Sequence, residues 1–125
     1  MKGFGIRVAL AGALLLSVFA GTAHAASPNV VISELRFRGP AGAADEIVEL
    51  YNRSSAPVAI GGDLVRGSNS TGTVSTRATI PAGTMLGAGC HYLLGGATYS
   101  GAVTADQTFG TGITDDGGVA VTLPD

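Results

Sequence analysis

The segment that decides the fold reads DEIVELYNRSSAPVAIGG and covers residues 45–62. Its first half alternates between apolar and polar residues, as a half-buried β-strand does. This alternation places Val48 and Leu50 on one face of the strand and Glu49 on the opposite face. A stretch rich in serine, with asparagine and proline, follows, and such residues favour turns. The segment therefore predicts a strand, a turn and a second short strand over residues 58–60.

The same two-residue period recurs along the chain, whereas no segment carries apolar residues at helical spacing over three turns. Stretches rich in glycine, proline and small polar residues separate the alternating segments and predict turns, and DDGG at residues 115–118 predicts a tight hairpin. Short strands at such regular spacing indicate an all-β sandwich or barrel. Beyond the first segment, the residues predicted to face inward are Val31, Leu35, Phe37, Val74, Ala78, Ile80, Cys90, Tyr92, Leu94, Val119, Val121 and Leu123.

The N-terminus has the layout of a secretory signal. A basic start and an apolar run over residues 8–20 precede the small-residue sequence AHA, which predicts cleavage after Ala25. The apolar run is shorter than the roughly 20 residues that span a bilayer, so cleavage is favoured over a membrane anchor. We therefore predict a signal peptide over residues 1–25 and one exported domain over residues 26–125, with no membrane span after cleavage. The expected location is the periplasm, the cell surface or the medium.

Charge and cysteine content limit the function further. Residues 26–125 contain five arginines and nine acidic residues but no lysine, which gives a net charge of −4. Direct binding of a nucleic-acid backbone normally needs a basic face, so we expect none from this chain. Cys90 is the only cysteine and cannot form an internal disulfide. Because its alternation matches that of Tyr92 and Leu94, we predict that it is a buried, inert side chain.

Two carboxylates lie close together in the deciding segment, but they do not predict a paired-acid site. Glu46 and Glu49 are three residues apart, so on a strand they point to opposite faces and cannot converge on one metal ion or one bond. We expect Glu49 to accept hydrogen bonds from turn amides or from an arginine such as Arg36 or Arg53. We expect Asn52 to fold back onto the turn that follows it.

The remaining reactive residue types do not form a recognisable catalytic or metal-binding set. Cys90 and His91 are adjacent, so on a strand the imidazole cannot reach the sulfur, and one residue of each type does not make a zinc site. An alternative is a calcium loop built from Asp115 and Asp116 with Asp106 close to them, but its spacing is not that of an EF-hand. The sequence therefore predicts no catalytic residue, no metal site and no cofactor, and it does not indicate which residues bind a ligand.

Five segments in order resemble the lamin tail domain: VVISELRFRGP, DEIVELYNRSSAPVAIGG, IPAGTMLGAGCHYLL, ADQTF and DDGGVAVTL. The resemblance covers residues 30–123, and its most specific part is ELYN at residues 49–52. It implies an immunoglobulin-like β-sandwich. Domains of this family usually carry a further strand after the last of these segments, so the resemblance also implies a sandwich without its last strand, as in a fragment of a longer product.

The resemblance implies an exported, non-catalytic interaction or adhesion module whose partner is a protein or a cell-surface ligand, because a fold alone does not fix the ligand. Similar modules are attached to secreted nucleases and phosphatases, so the alternative is an N-terminal accessory domain of such an enzyme. A continuing reading frame with catalytic motifs downstream would favour this alternative. A third possibility, a structural protein that assembles through open sheet edges, predicts concentration-dependent oligomers.

Overall fold

The computed structural model describes residues 27–124, and the predicted signal peptide over residues 1–25 lies outside this range. The described residues form nine β-strands and no helix. No helix able to cross a membrane occurs among them. The strands are β1 (Val30–Arg36), β2 (Ile47–Asn52), β3 (Val58–Ala59), β4 (Leu64–Ser68), β5 (Val74–Thr79), β6 (Met85–Leu86), β7 (His91–Gly95), β8 (Gln107–Thr108) and β9 (Val119–Thr122).

The strands form three sheets. The largest has the order β1-β2-β7-β8, a second has the order β5-β4-β9, and β3 and β6 form a two-stranded sheet. Every pairing is antiparallel except the short parallel contact between β7 and β8. This arrangement confirms the prediction of an all-β, immunoglobulin-like sandwich.

The hydrophobic core joins all three sheets. It contains Val48 and Leu50 from β2, which the alternation of the deciding segment placed on the same face. A fully buried leucine or isoleucine side chain contributes about 2 kcal/mol, so this cluster is the main source of stability in the described residues. The other buried members are Ile60, Val65, Ala78, Ile80, Leu86, Leu94, Phe109 and Ile113.

A β-bulge in β1 changes which residues face the core. The pairing with β2 shifts between Ile32 and Glu34, so Ser33 is an extra residue without a partner. Such an insertion exchanges the two faces of a strand. As a result Ile32 packs against the core in place of Val31, for which the prediction was wrong. Leu35 is 37% exposed, so its predicted inward position was wrong too, whereas Phe37 packs as predicted.

A second bulge lies in β5. Val65 pairs with Ala78 and Arg66 pairs with Thr76, so Arg77 is the extra residue. Ala78 is buried as predicted, but Val74, on the far side of the bulge, is 57% exposed, and its predicted inward position was wrong. The Arg77 side chain lies against Gly67 of β4, where an added Cβ atom would be 2.6 Å from Arg77 Nε.

The expected position of Cys90 was also wrong. Its side chain is exposed, because β7 begins only at His91 and Cys90 still belongs to a turn closed by its N–H bonding to the Gly87 carbonyl at 3.1 Å. Gly89 in this turn has a φ of 66°, a conformation that favours glycine. The strand alternation that would have buried Cys90 therefore starts one residue later.

The stretch DDGG does not form the predicted hairpin. The Gly117 N–H donates to the Thr114 carbonyl at 2.9 Å, which closes a turn, but residues 111–114 form no strand. The strand after the turn, β9, pairs with β4 of the three-stranded sheet. Leu123 lies beyond the end of β9 and is 71% exposed, so its predicted inward position was wrong.

Candidate binding site

Two loops meet at one end of the sandwich and line an open surface pocket of about 700 Å³. One loop connects β1 to β2 and the other connects β8 to β9. We call this cavity the end pocket. Its lining consists of Arg38, Ala43, Ala44, Glu46 and residues 112–116.

Asp45 fixes the first of these loops. Its fully buried carboxylate accepts hydrogen bonds from the Ala41 N–H at 2.9 Å and from the Arg36 guanidinium at 2.6 Å. It also accepts bonds from the backbone N–H and the hydroxyl of Ser100, which belongs to the loop between β7 and β8. The Ser100 hydroxyl, followed by the Ala41 N–H, lowers the pKa of Asp45 to about 2. Asp45 is thus an ionised anchor that joins two loops.

Glu46 lies beside Asp45 but has a different environment. Its side chain is 1% exposed, and its Oε1 atom accepts a hydrogen bond from the Ile113 N–H at 2.6 Å. No group among residues 27–124 donates a hydrogen bond to Oε2. Burial raises the pKa of Glu46, and the negative charge of Asp115 adds to this effect, whereas the Ile113 bond and the charge of Arg77 oppose it. Glu46 therefore offers one unused acceptor at the end pocket.

Gly112 lies beside the buried Glu46 carboxylate in the lining of the pocket. A Cβ atom at position 112 would lie 3.2 Å from Oε2, and the three heavy atoms nearest to that Cβ position all belong to the carboxyl group of Glu46. The position that a side chain at residue 112 would occupy is therefore adjacent to the carboxylate and to no other group within 4 Å among the three nearest atoms. Any larger residue would fill this space.

Charge in the end pocket is predominantly negative. Asp115 and Asp116 line it together with Glu46, and Arg38 is the one cationic residue in its lining. The Arg38 guanidinium bonds to the Asp115 carboxylate at 2.9 Å, in an ion pair whose side chains are both more than half exposed. The pocket consequently suits a positively charged group.

A second polar cluster lies on the outer face of the four-stranded sheet. Glu49 Oε1 accepts hydrogen bonds from the Ser33 hydroxyl at 2.6 Å and from His91 Nδ1 at 2.8 Å. The His91 ring lies 4.7 Å from the ring of Tyr51, centroid to centroid. The Ser33 bond, followed by that of His91, lowers the pKa of Glu49. The expected partners, Arg36, Arg53 or turn amides, were therefore wrong.

This cluster does not have the geometry of a nucleophile and its base. Ser33 and His91 both bond to the same carboxylate oxygen, and the described residues show no hydrogen bond between them. A serine nucleophile needs its hydroxyl directed at the base. Glu46 and Glu49 have separate surroundings, as the strand alternation predicted.

We expect Glu49→Gln to reduce the free energy of unfolding by about 1 kcal/mol, because two hydrogen bonds to a charged acceptor become bonds to a neutral one. Glu34→Gln, which changes an exposed acid on the same sheet, is the matched control and is expected to stay within about 0.5 kcal/mol of the wild type. Urea unfolding at pH 7 measures both. Equal effects of the two substitutions would contradict a structural role for Glu49.

The remaining candidate residues are engaged in local contacts. Asp106 Oδ2 accepts a hydrogen bond from the Leu93 N–H at 2.8 Å, whereas Asp115 pairs with Arg38. Among residues 27–124, no group of three or more histidine, cysteine, aspartate or glutamate side chains is placed to hold a metal ion.

The Asn52 side chain bonds to the turn that follows it. Its Oδ1 atom accepts hydrogen bonds from the N–H and the hydroxyl of Ser54, which confirms that Asn52 folds back onto the turn.

Comparison with known proteins places this chain in a family. The family model described as Lamin Tail Domain matches residues 23–125. Comparison with curated proteins finds no match.

Proposed function

Because this chain belongs to the lamin tail domain family, we propose that it is an exported, non-catalytic interaction module that binds a partner through the end pocket. The family consists of immunoglobulin-like domains without catalytic activity. Modules of this shape present loops and sheet faces to other molecules, and the identity of the ligand depends on the residues at those surfaces.

The observation that carries this proposal is the unused Oε2 atom of Glu46. Most buried polar atoms in proteins have a hydrogen-bond partner, and an unsatisfied one costs about 1–3 kcal/mol. Here the atom is buried and belongs to a carboxyl group in the lining of a concave surface, next to a glycine whose missing side chain leaves a position 3.2 Å from it. A partner that donates a hydrogen bond to Oε2 would remove this cost, and we infer that the pocket binds such a donor.

The absence of catalysis in the proposal is supported by the hydrogen bonds of the polar residues. The Glu49 carboxylate accepts hydrogen bonds from Ser33 and His91, and the Asp106 carboxylate accepts one from a backbone N–H. These contacts stabilise the fold and direct no side chain at a common reacting atom. Export is supported by the N-terminal sequence, which has the basic start, apolar run and small-residue site of a secretory signal.

Site-specific photo-crosslinking tests the proposal. A photoreactive benzoylphenylalanine at Ala43, an exposed residue of the pocket lining, is expected to crosslink a partner protein in the native host. The same replacement at Ala88 is the control, because Ala88 is an exposed alanine in the turn before β7, at the opposite end of the four-stranded sheet. Adducts from position 43 should exceed those from position 88 by roughly tenfold, as expected where only one end of the molecule makes a specific interface.

The N-terminal peptide of the adduct tests export in the same experiment. It is expected to begin at Ala26, in a fraction outside the cytoplasm. Equal crosslinking from both positions, or none from position 43, would contradict binding at the end pocket. An intact Met1 would contradict export. The alternative function, an accessory domain of a secreted nuclease or phosphatase, stays a prediction that the downstream nucleotide sequence can test.

A further inference from the structure

We propose that the end pocket receives the side chain of a lysine from a partner protein, with the ammonium group bonded to Glu46 Oε2. This inference rests on the proposed function and names the chemistry of the partner. The pocket, as defined above, lies between the β1–β2 loop and the β8–β9 loop.

The charge of the lining selects a cation. Glu46, Asp115 and Asp116 contribute three carboxylates, whereas Arg38 contributes one guanidinium that already bonds to Asp115. A ligand without an N–H or O–H donor would leave the buried Glu46 oxygen unsatisfied, because an ionised carboxylate only accepts hydrogen bonds. A cation with N–H donors satisfies both the charge and the missing bond.

The Glu46 carboxylate has one oxygen without a hydrogen-bond donor, and this favours an ammonium group over a guanidinium as the ligand. Glu46 Oε1 is occupied by the Ile113 N–H, so only Oε2 remains. Arginine binds best where two acceptors meet its planar fork, whereas the lysine ammonium is a compact point charge that needs one strong acceptor. Calcium prefers 6–8 oxygen ligands, whereas the described residues contain no group of three or more histidine, cysteine, aspartate or glutamate side chains placed to hold a metal ion.

The walls of the pocket suit the rest of a lysine side chain. Ala43, Ala44 and Ile113 form apolar parts of the lining. Lysine buries its four-carbon stem along apolar surface and directs only its terminal group to a polar site. Gly112 leaves space beside Glu46 Oε2 at the position where the ammonium would arrive.

Residues 26–125 do not supply this lysine. The chain contains one lysine, Lys2, which lies in the predicted signal peptide. A second copy of residues 26–125 therefore carries arginine but no lysine, and we take the occupant to be a lysine of a partner with a different sequence.

Amide chemical shifts of the purified protein measure this binding directly. We expect Nα-acetyl-lysine-methylamide to shift the Gly112 and Ile113 amide signals saturably, with a Kd on the order of 1 mM for so small a probe. The Nε-acetylated form of the same probe keeps the stem and loses the charge. It is expected to bind at least about tenfold more weakly, since neutralisation removes the charge-assisted hydrogen bond.

Two variants test the contact from the protein side. Glu46→Gln removes the charge, and Gly112→Ala places a methyl group 3.2 Å from Oε2; Gly112 does not have the positive φ at which alanine would be strained. Each is expected to weaken the lysine probe at least about tenfold. Glu34→Gln, on the sheet surface, should leave its Kd within about twofold. Chemical shifts of core amides that match those of the wild type show that each variant is folded.

Several results would overturn the inference. These are the absence of saturable shifts, equal binding of the two lysine probes, tighter binding of the matching arginine probe, or shifts of the same amides by calcium chloride alone. If the lysine probe fails while crosslinking from position 43 persists, the end pocket binds a partner of different chemistry. If both fail, the proposed function fails as well.

Discussion

Asn52→Asp is expected to destabilise the protein by about 3–5 kcal/mol, which is a large part of the stability of a small domain. The Asn52 side chain is fully buried, and its Nδ2 group donates to the carbonyl oxygens of Ala56, Leu86 and Gly87 at 2.8–3.0 Å. A carboxylate would present an acceptor to three acceptors and would add an unpaired buried charge. Thermal unfolding should show a melting temperature lower by roughly 15–30 °C.

The effect should be large because Asn52 connects parts of the chain that no strand pairing joins. Leu86 ends β6 and Gly87 begins the next turn, whereas Ala56 belongs to the turn after β2. The backbone of Asn52 adds bonds to Cys90 and Gly89 of the same region. Loss of the side-chain donor thus weakens the attachment of the β3–β6 sheet to the four-stranded sheet.

Asn69→Asp is the matched control for this substitution. Asn69 also organises a turn, with its Oδ1 atom accepting from the backbone N–H groups of Thr71 and Thr73. A carboxylate preserves these acceptor contacts at an exposed turn, so we expect a change within about 0.5 kcal/mol. Similar losses of stability in the two variants would show that the three donated bonds of Asn52 are not the cause.

The role of Asn52 illustrates what local sequence can predict. Asparagine after an alternating strand and before a serine-rich turn favours a bond to its own turn, and the Ser54 contacts confirm it. Its contacts with Leu86 and Gly87 depend on residues more than thirty positions away, and no local pattern indicates them. The all-β class, the faces of β2 and the family were likewise predictable from short-range pattern.

The bulges in β1 and β5 could not be predicted from the local sequence pattern. Ser33 and Arg77 look like ordinary members of alternating segments, and whether each has a partner depends on the register of the neighbouring strand. A single extra residue reverses every assignment on one side of it. For this reason Val31 and Val74 were assigned to the wrong face, whereas Ala78, on the other side of its bulge, was assigned correctly.

The end pocket could not be predicted for a related reason. Glu46 directly precedes a buried strand, and the apolar residues Ile47 and Val48 that follow it were a usable signal that its side chain could be buried too. Its hydrogen-bond donor, however, is the Ile113 N–H, which the fold brings from 67 positions along the chain. The site depends on two irregular loops, and sequence periodicity carries no information about how such loops meet.

Asp45→Asn is expected to lower the melting temperature by roughly 10 °C or more at pH 7, because several hydrogen bonds to one buried charge are weakened together. An amide cannot accept on both sides, so its NH₂ group would face either the Ala41 N–H or the Arg36 guanidinium. The loops that Asp45 joins should loosen, and hydrogen exchange of the Ser100 amide should become faster than in the wild type.

Asp115→Asn provides the control, since it removes the same kind of charge from an exposed ion pair with Arg38. Exposed pairs contribute little, so a change within about 1 kcal/mol is expected. A comparable loss of melting temperature in the two variants would mean that general charge balance, and not the anchoring of two loops, explains the effect of Asp45.

The pH dependence of stability provides an independent test of Asp45. Its pKa falls from an ordinary value of 3.8 to about 2 in the folded protein, so the unfolded chain binds the proton more tightly. The carboxylate therefore stabilises the fold fully above about pH 4, and this contribution is lost as the pH falls from about 4 to 2. The difference in melting temperature between wild type and Asp45→Asn should accordingly narrow over this interval. Two other carboxyl groups also change the stability with pH, but they do so in both proteins. The lowered pKa of Glu49 makes the fold less stable as the pH falls, whereas the raised pKa of Glu46 makes it more stable as the pH falls toward 4.5. The difference in melting temperature between wild type and Asp45→Asn therefore reports on Asp45 alone. A gap that stays constant down to pH 2 would show that the buried carboxylate does not hold the loops as an ion.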